Sequence, residues 1–156
     1  MSGTTYGPYD GDAVEIDPFS RAVHKWVAKA GARADQAYLA IVLDMVARVK
    51  ELTPVKTGYL RSNWTAVRAG DAQPVAGRVS SAEESLQDLT IADNVVIVNP
   101  VVYARRVEYG FVGTDSLGRH FNQRGAGMLA RTVAELPSIA EAAVNRVIAD
   151  QSPVAA

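Results

Sequence analysis

Residues 53–64 read Thr53-Pro-Val-Lys-Thr-Gly-Tyr-Leu-Arg-Ser-Asn-Trp64, and the fold is decided there. Upstream the apolar residues recur at helical steps; downstream they fall in short extended runs. Thr53 and Pro54 stop the helix, because proline offers no N–H and pushes the residue before it out of the α region. Thr57-Gly58 predicts a turn in which Gly58 takes a positive φ. Leu60, Asn63 and Trp64 then lead into a strand. Nothing in the stretch carries catalytic chemistry; it is a corner joining a helix to a sheet.

Working upstream, Asp17-Pro18 is a helix start, with an N-cap residue followed by proline at the first helical position. Phe19, Val23, Trp26/Val27, Ala30, Ala34, Tyr38, Ile41/Val42, Met45, Val46 and Val49 form one apolar stripe. Unbroken to residue 51, this helix would be roughly 50 Å long. Gly31 weakens it by about 1 kcal/mol relative to alanine and is the expected place for a bend. Such a length exceeds what the chain needs to cover its own sheet, which points to oligomerisation. His24 is expected at a surface or interface rather than as a ligand. Residues 1–16, with three glycines, Pro8, Tyr6 and Tyr9, predict an arm rather than an element. The two tyrosines either anchor that arm onto a neighbouring subunit or belong to a frayed terminus.

Downstream, residues 64–69 predict a strand and 75–80 a second, giving a loose hairpin over 63–80. Ser81-Ala-Glu-Glu84 has capping-box spacing and opens a short helix over 82–90. Val95-Val-Ile-Val98 is a β-branched run suited to a central strand buried on both faces. Tyr103-Ala-Arg-Arg-Val-Glu-Tyr-Gly110 has helical spacing with Gly110 as its C-cap. Residues 111–127 are polar and glycine-rich, hold Phe111, Asp115, Arg119, His120, Phe121 and Arg124, and are expected as a long loop, either functional or disordered. The last helical stripe runs over 128–149 and is kinked or split by Pro137. The organisation is thus an arm over 1–16, one domain over 17–149 and a tail over 150–156.

With 156 residues, 48% of them hydrophobic, one domain with a real core is expected. A net charge of −1 gives no general drive towards a polyanion. The chain has no cysteine, so disulfides, thiolate metal sites and cysteine nucleophiles are excluded. No run approaches the roughly 18 apolar residues of a membrane span, and the first residues lack the basic and apolar regions of a secretory leader. There is no HExxH, no GxSxG and no clustered ligand set; His24 and His120 belong to different elements, so no catalytic, cofactor or metal site is expected.

Two motifs stand together: Thr53-Pro-Val-x-Thr-Gly-x-Leu-Arg-Ser-Asn-Trp64 and Asn99-x-x-x-Tyr-Ala-Arg-x-Val-Glu-Tyr-Gly110, followed by Gly127-Met-Leu and the helix with Pro137. Over about residues 20–148 this order resembles a family of small neck or tail-completion proteins of long-tailed double-stranded-DNA bacteriophages, whose archetype is a tail component encoded by the tenth gene of an HK-type coliphage. The resemblance implies an α+β fold, a small, mainly antiparallel sheet packed by a long N-terminal helix and a Pro-kinked C-terminal helix. It implies a structural virion protein, not an enzyme, without cofactor or membrane. Its expected partners are copies of itself in a closed ring at the head–tail junction, other connector and tail proteins (adaptor, head-closure, tail terminator or tube), and, non-specifically, DNA in the channel. A tail terminator capping the tube is the alternative within the virion; a cytoplasmic nucleic-acid-binding protein is the alternative outside it. The arm and the 111–127 segment depart from the family pattern.

Candidate interface residues are Tyr6, Tyr9, Arg105, Arg106, Arg119, His120, Phe121 and Arg124. Thr57, Gly58, Arg61, Trp64 and Glu108 form the structural corner. Glu108 is expected to tie back to that corner, at the Thr57 hydroxyl, the Gly58 N–H or Arg61, rather than to reach a second subunit. Arg105 and Arg106 are open to an interface role. The basic, aromatic 118–124 stretch suits docking against an adjacent ring better than contact with DNA.

Overall fold

The computed structural model describes residues 12–14 and 17–150, with side chains from residue 22 onward. The fold is α+β, as the resemblance implies. A three-stranded antiparallel sheet has the order β1-β3-β2, with β1 at Asp12–Val14, β2 at Thr65–Arg68 and β3 at Val95–Asn99. β3 is central and buried along its whole length. Its alternating side chains serve two separate apolar clusters. Val95 and Ile97 join the main core with Ala66, while Val96 and Val98 pack with Val67 on the other face. The β-branched run was legible for this reason: both faces of a central strand have apolar work to do.

The first helical stripe folds as two helices, not one. α1 spans Asp17–Val27 and α2 spans Ala34–Leu52, with a 3-10 stretch, Ala28–Arg33, between them. The break sits at Gly31, whose φ of 59° and ψ of −121° lie outside helical space. α1 packs against α2, and Val23 and Val27 are fully part of the core. The surplus length that pointed to oligomerisation is therefore absorbed within the subunit. α2, about 28 Å long, buries Ala37, Tyr38, Ile41, Val42, Met45, Val46 and Val49 at three- and four-residue steps. The Tyr38 hydroxyl donates to the Asp93 carbonyl at 2.9 Å, and burial, followed by the Asp93 charge, pushes the phenol up to about 12.

The C-terminal stripe is split as well, into α6 at Met128–Ala134 and α7 at Leu136–Ala149, with Pro137 in the first turn of α7. Proline is tolerated there because the N–H it lacks has no helical partner. α7 packs along α2. Arg48 clamps the α6–α7 junction through a two-pronged bond to Glu135, 2.6 and 2.9 Å, and Arg146 reaches Asp44 at 2.8 Å.

Two expected elements change. Residues 75–80 form turns, not a strand. β2 pairs with β3 instead, Thr65 opposite Val98 and Arg68 opposite Val95. Pro74 has no ladder donor and Ala76-Gly77 turns the chain, so this segment meets the sheet only through side chains: Gly77 N–H donates to Asn63 Oδ1 and the Thr65 hydroxyl to the Ser80 carbonyl. The capping box is present, Ser81 and Glu84 bonding each other's backbone, on a helix, α4, shorter than expected at Ala82–Ser85. The second change is at 111–127, which is not a loop. It contains β4, Gly110–Thr114, and β5, His120–Arg124, paired as an antiparallel hairpin.

At the corner, the helix stop and the Gly58 turn stand where the sequence places them. Thr53 is extended and ends α2. Its hydroxyl donates to the Val49 carbonyl at 2.6 Å and accepts from the buried Trp64 indole at 2.8 Å, while Arg61 donates to the Thr53 carbonyl. Gly58, at φ 84°, starts the single turn α3, Tyr59–Ser62. A Cβ at Gly58 would touch nothing, so its requirement is conformational alone. Gly58→Val is accordingly expected to cost about 2 kcal/mol, read as a fall of several degrees in Tm by thermal unfolding. An unchanged Tm would show that the positive φ does not constrain the corner.

Candidate functional site

The two sequence motifs meet, and Asn99 joins them. Its buried side chain donates through Nδ2 to the Leu60 carbonyl at 2.8 Å and accepts through Oδ1 from the Val101 N–H at 3.1 Å. One amide therefore fixes the corner to the start of α5, Ala104–Tyr109. Between them lies a groove of about 460 Å³. Pro54, Val55, Lys56, Thr57, Gly58 and Leu60 line one wall; Tyr103 and Val107 of α5, with Gln123, Arg124 and Ala126, line the other.

Glu108 does not tie to the corner. It is 3% exposed, and its carboxylate accepts from the Leu129 N–H at 3.0 Å and the Ala130 N–H at 3.1 Å. The cause is at the start of α6: its N-cap is Gly127, which has no side chain to offer. Glu108 supplies the missing acceptor and places a negative charge at the positive end of the helix. The Gly127 N–H bonds the Glu108 carbonyl at 3.0 Å and the Ala126 N–H bonds the Val107 carbonyl at 2.7 Å, so helix and hairpin base are sewn together. The available signal was the absence of Ser, Thr, Asp or Asn before Met128.

The hairpin leaves α5 through a close backbone crossing. A Cβ on Gly110 would lie 2.4 Å from the Gln123 carbonyl oxygen, and one on Gly125 would lie 2.5 Å from that of Glu108. Only glycine fits at either position. Asp115 organises the turn. It accepts from the Leu117 and Arg119 N–H groups and pairs with the Arg119 guanidinium at 2.6 Å. The Arg119 N–H first, and its side chain second, hold this carboxyl below its usual range.

The hairpin also arranges the aromatic and basic residues. Phe111 and Phe121 lie 6.0 Å apart, Arg106 stands over Phe111 at 4.2 Å and Arg119 over Phe121 at 5.7 Å. A ladder of cation, ring, ring and cation runs from α5 to the turn. His120 bonds Thr114 across the strands at 2.9 Å, and Arg105 stands over Tyr109. Every residue of β5 is exposed, as are Val112 at 78% and Tyr109 at 67%. The structure thus gathers Arg105, Arg106, Arg119, His120, Phe121 and Arg124 on α5 and the hairpin. Tyr6 and Tyr9 lie outside the described residues. Among the described residues no cluster of three or more metal-binding side chains occurs and no helix is long and apolar enough to cross a membrane.

A family model described as "Bacteriophage HK97-gp10, putative tail-component" matches residues 14–110, more than half of the chain. The chain belongs to the HK97-gp10-like family. The match covers the corner, the central strand and α5, and ends where the hairpin begins, short of the 20–148 span over which the resemblance was read. No curated protein and no solved structure matches the chain. The family is described as a phage tail component.

Two expected outcomes follow from the geometry. Glu108→Ala strands the buried Leu129 N–H and the part-buried Ala130 N–H and is expected to cost roughly 1–3 kcal/mol, read by thermal unfolding; Glu108→Gln, which turns an N–H towards those donors, is expected to recover little of it. Full stability in Glu108→Ala would remove the cap from the account of α6. The contribution of the Asp115 charge is complete above its unfolded pKa, about 4, and is lost as pH falls through its lower folded value. The amide shifts of Leu117 and Arg119 are therefore expected to hold from pH 7 down to about 4 and to move below it; movement near neutral pH would contradict the turn as described.

Proposed function

We propose that this chain is a structural component of the phage head–tail junction, forming a closed ring around the DNA channel that completes the tail or neck and docks tail to head. The observation that carries this reading is the hairpin. A two-stranded ribbon is marginal by itself in water, and this one presents all of β5 and Val112 to solvent beside the Arg106–Phe111–Phe121–Arg119 ladder, of which Phe111 alone is half-buried. Arginine and aromatic residues in that combination are what protein interfaces concentrate.

A closed ring needs two different patches on each subunit, and the sheet supplies two different ends. Beyond Asn99, β3 leads into α5 and the hairpin, with Arg105, Arg106 and Arg124. At the Val95 end stands α4, tied there by Arg68, which sits opposite Val95 and donates to the Ser85 carbonyl. Exposed Glu83, Glu84 and Asp88 make that end acidic. Basic hairpin against acidic α4 is a head-to-tail contact, with electrostatics setting register more than affinity.

Arg105→Glu with Arg106→Glu is expected to abolish ring formation, read by native mass spectrometry and by electron microscopy of particles, with the subunit still folded by circular dichroism. Adding Glu83→Arg is expected to restore part of the assembly. Normal rings from the doubly reversed chain would overturn the interface. In images of intact particles, density at the head-proximal joint supports the neck role, whereas density capping the tube would make the chain a tail terminator. Tight duplex binding by the isolated chain at physiological salt, in a gel-shift titration, would replace the structural reading by the nucleic-acid-binding one.

A further inference from the structure

The groove between the corner and α5 has walls of Pro54, Val55, Leu60, Tyr103, Val107 and Ala126, and it carries two cations, Lys56 on one wall and Arg124 on the other. Lys56 and Arg124 are exposed. The chemistry that fits is a short segment with bulky apolar or aromatic side chains and a carboxylate. Residues 1–16 have that composition: Tyr6, Pro8 and Tyr9 are followed by Asp10, Asp12 and Glu15, with no lysine or arginine.

The topology anchors the end of this segment beside the groove. β1 runs antiparallel to β3 with Asp12 opposite Asn99, so β1 begins level with the end of β3, on the side where α5 begins. β1 and α5 are in contact. Asn99 is the residue whose side chain holds Leu60, a wall of the groove. At about 3.4 Å per extended residue, Tyr9 is within ~10 Å of Asp12 and Tyr6 within ~20 Å. Tethered so closely, the segment meets its own groove at an effective concentration in the millimolar range, above what a free second copy reaches.

We propose that the groove is the seat of the chain's own N-terminal segment, residues 6–10, its tyrosines packing between the corner and α5 and the Asp10 carboxylate meeting Lys56 and Arg124. The arm then belongs to its own subunit rather than to a neighbour. Seated, it packs against Tyr103 and Val107 beside the base of the hairpin at Gln123 and Arg124. This inference concerns the isolated subunit and stands whether or not the chain forms a ring.

The test uses the absence of cysteine, which makes Val55→Cys a single thiol on the groove wall. Its rate of reaction with a neutral maleimide is measured in the otherwise unaltered chain and again with Tyr6→Ala and Tyr9→Ala added. About a tenfold faster reaction is expected in the latter, and the slow rate of the former is expected to stay constant on dilution. Asp10→Lys, with both tyrosines in place, is expected to accelerate labelling as well, and circular dichroism checks that each variant is folded. Equal rates with and without the tyrosines would overturn the proposal. Protection that disappears on dilution would overturn it too, by assigning the groove to the arm of a second copy.

Discussion

The subunit depends on the side-chain amide of Asn99. Its position at the end of the central strand is fully buried, and a buried amide is costly unless its hydrogen bonds are made. Here both ends are satisfied, by the Leu60 carbonyl and the Val101 N–H, two backbone groups that no strand ladder takes up. The consequence is geometric. The corner at the end of α2 and the start of α5 come from chain segments about forty residues apart, yet one planar group sets their separation. Everything on α5 inherits that setting: the groove, the Glu108 carboxylate that starts α6, and the glycine crossing from which the hairpin leaves.

Much of this was legible in the sequence because it rests on local rules. Pro54, Gly58, the capping box at Ser81, the β-branched run at residues 95–98 and Gly110 each act within a few residues, and each is found where its chemistry requires. What was not legible is non-local. The helical stripe continues through Gly31, so periodicity reads one helix; whether a glycine bends the chain or breaks it depends on what waits to be covered, and α1 covers the core. Val75 looks like a strand residue until β2 finds a better partner in β3. Glu108 has no sequence mark showing that its partners lie twenty-one and twenty-two residues on. The Asp12–Val14 strand was hidden in a glycine-rich arm because three residues carry too little pattern to register.

The hairpin shows how the composition of a segment can mislead about its form. Its residues are polar, glycine-rich and exposed, which is the composition of a loop. The order comes from a turn built around one carboxylate, Asp115, and from glycines at the crossing with α5. Apolar burial, the usual mark of a strand, is absent because the strands cover no core.

That absence bears on the docking role proposed for the hairpin. Within the subunit, backbone pairing and the Arg106–Phe111–Phe121–Arg119 ladder suffice to shape the ribbon, but most of its side chains remain in water. A surface ordered before it meets a partner loses less entropy on docking than a floppy loop does. Its basic groups stand at the Asn99 end of β3 and the acidic helix at the Val95 end, so the central strand itself keeps the two charges apart. Copies arranged head to tail bring opposite signs together, whereas copies joined hairpin to hairpin set like charges against each other. The same strand that buries the core on both faces thereby gives the subunit a direction, and a direction is what distinguishes a subunit that can close a ring from one that can only pair.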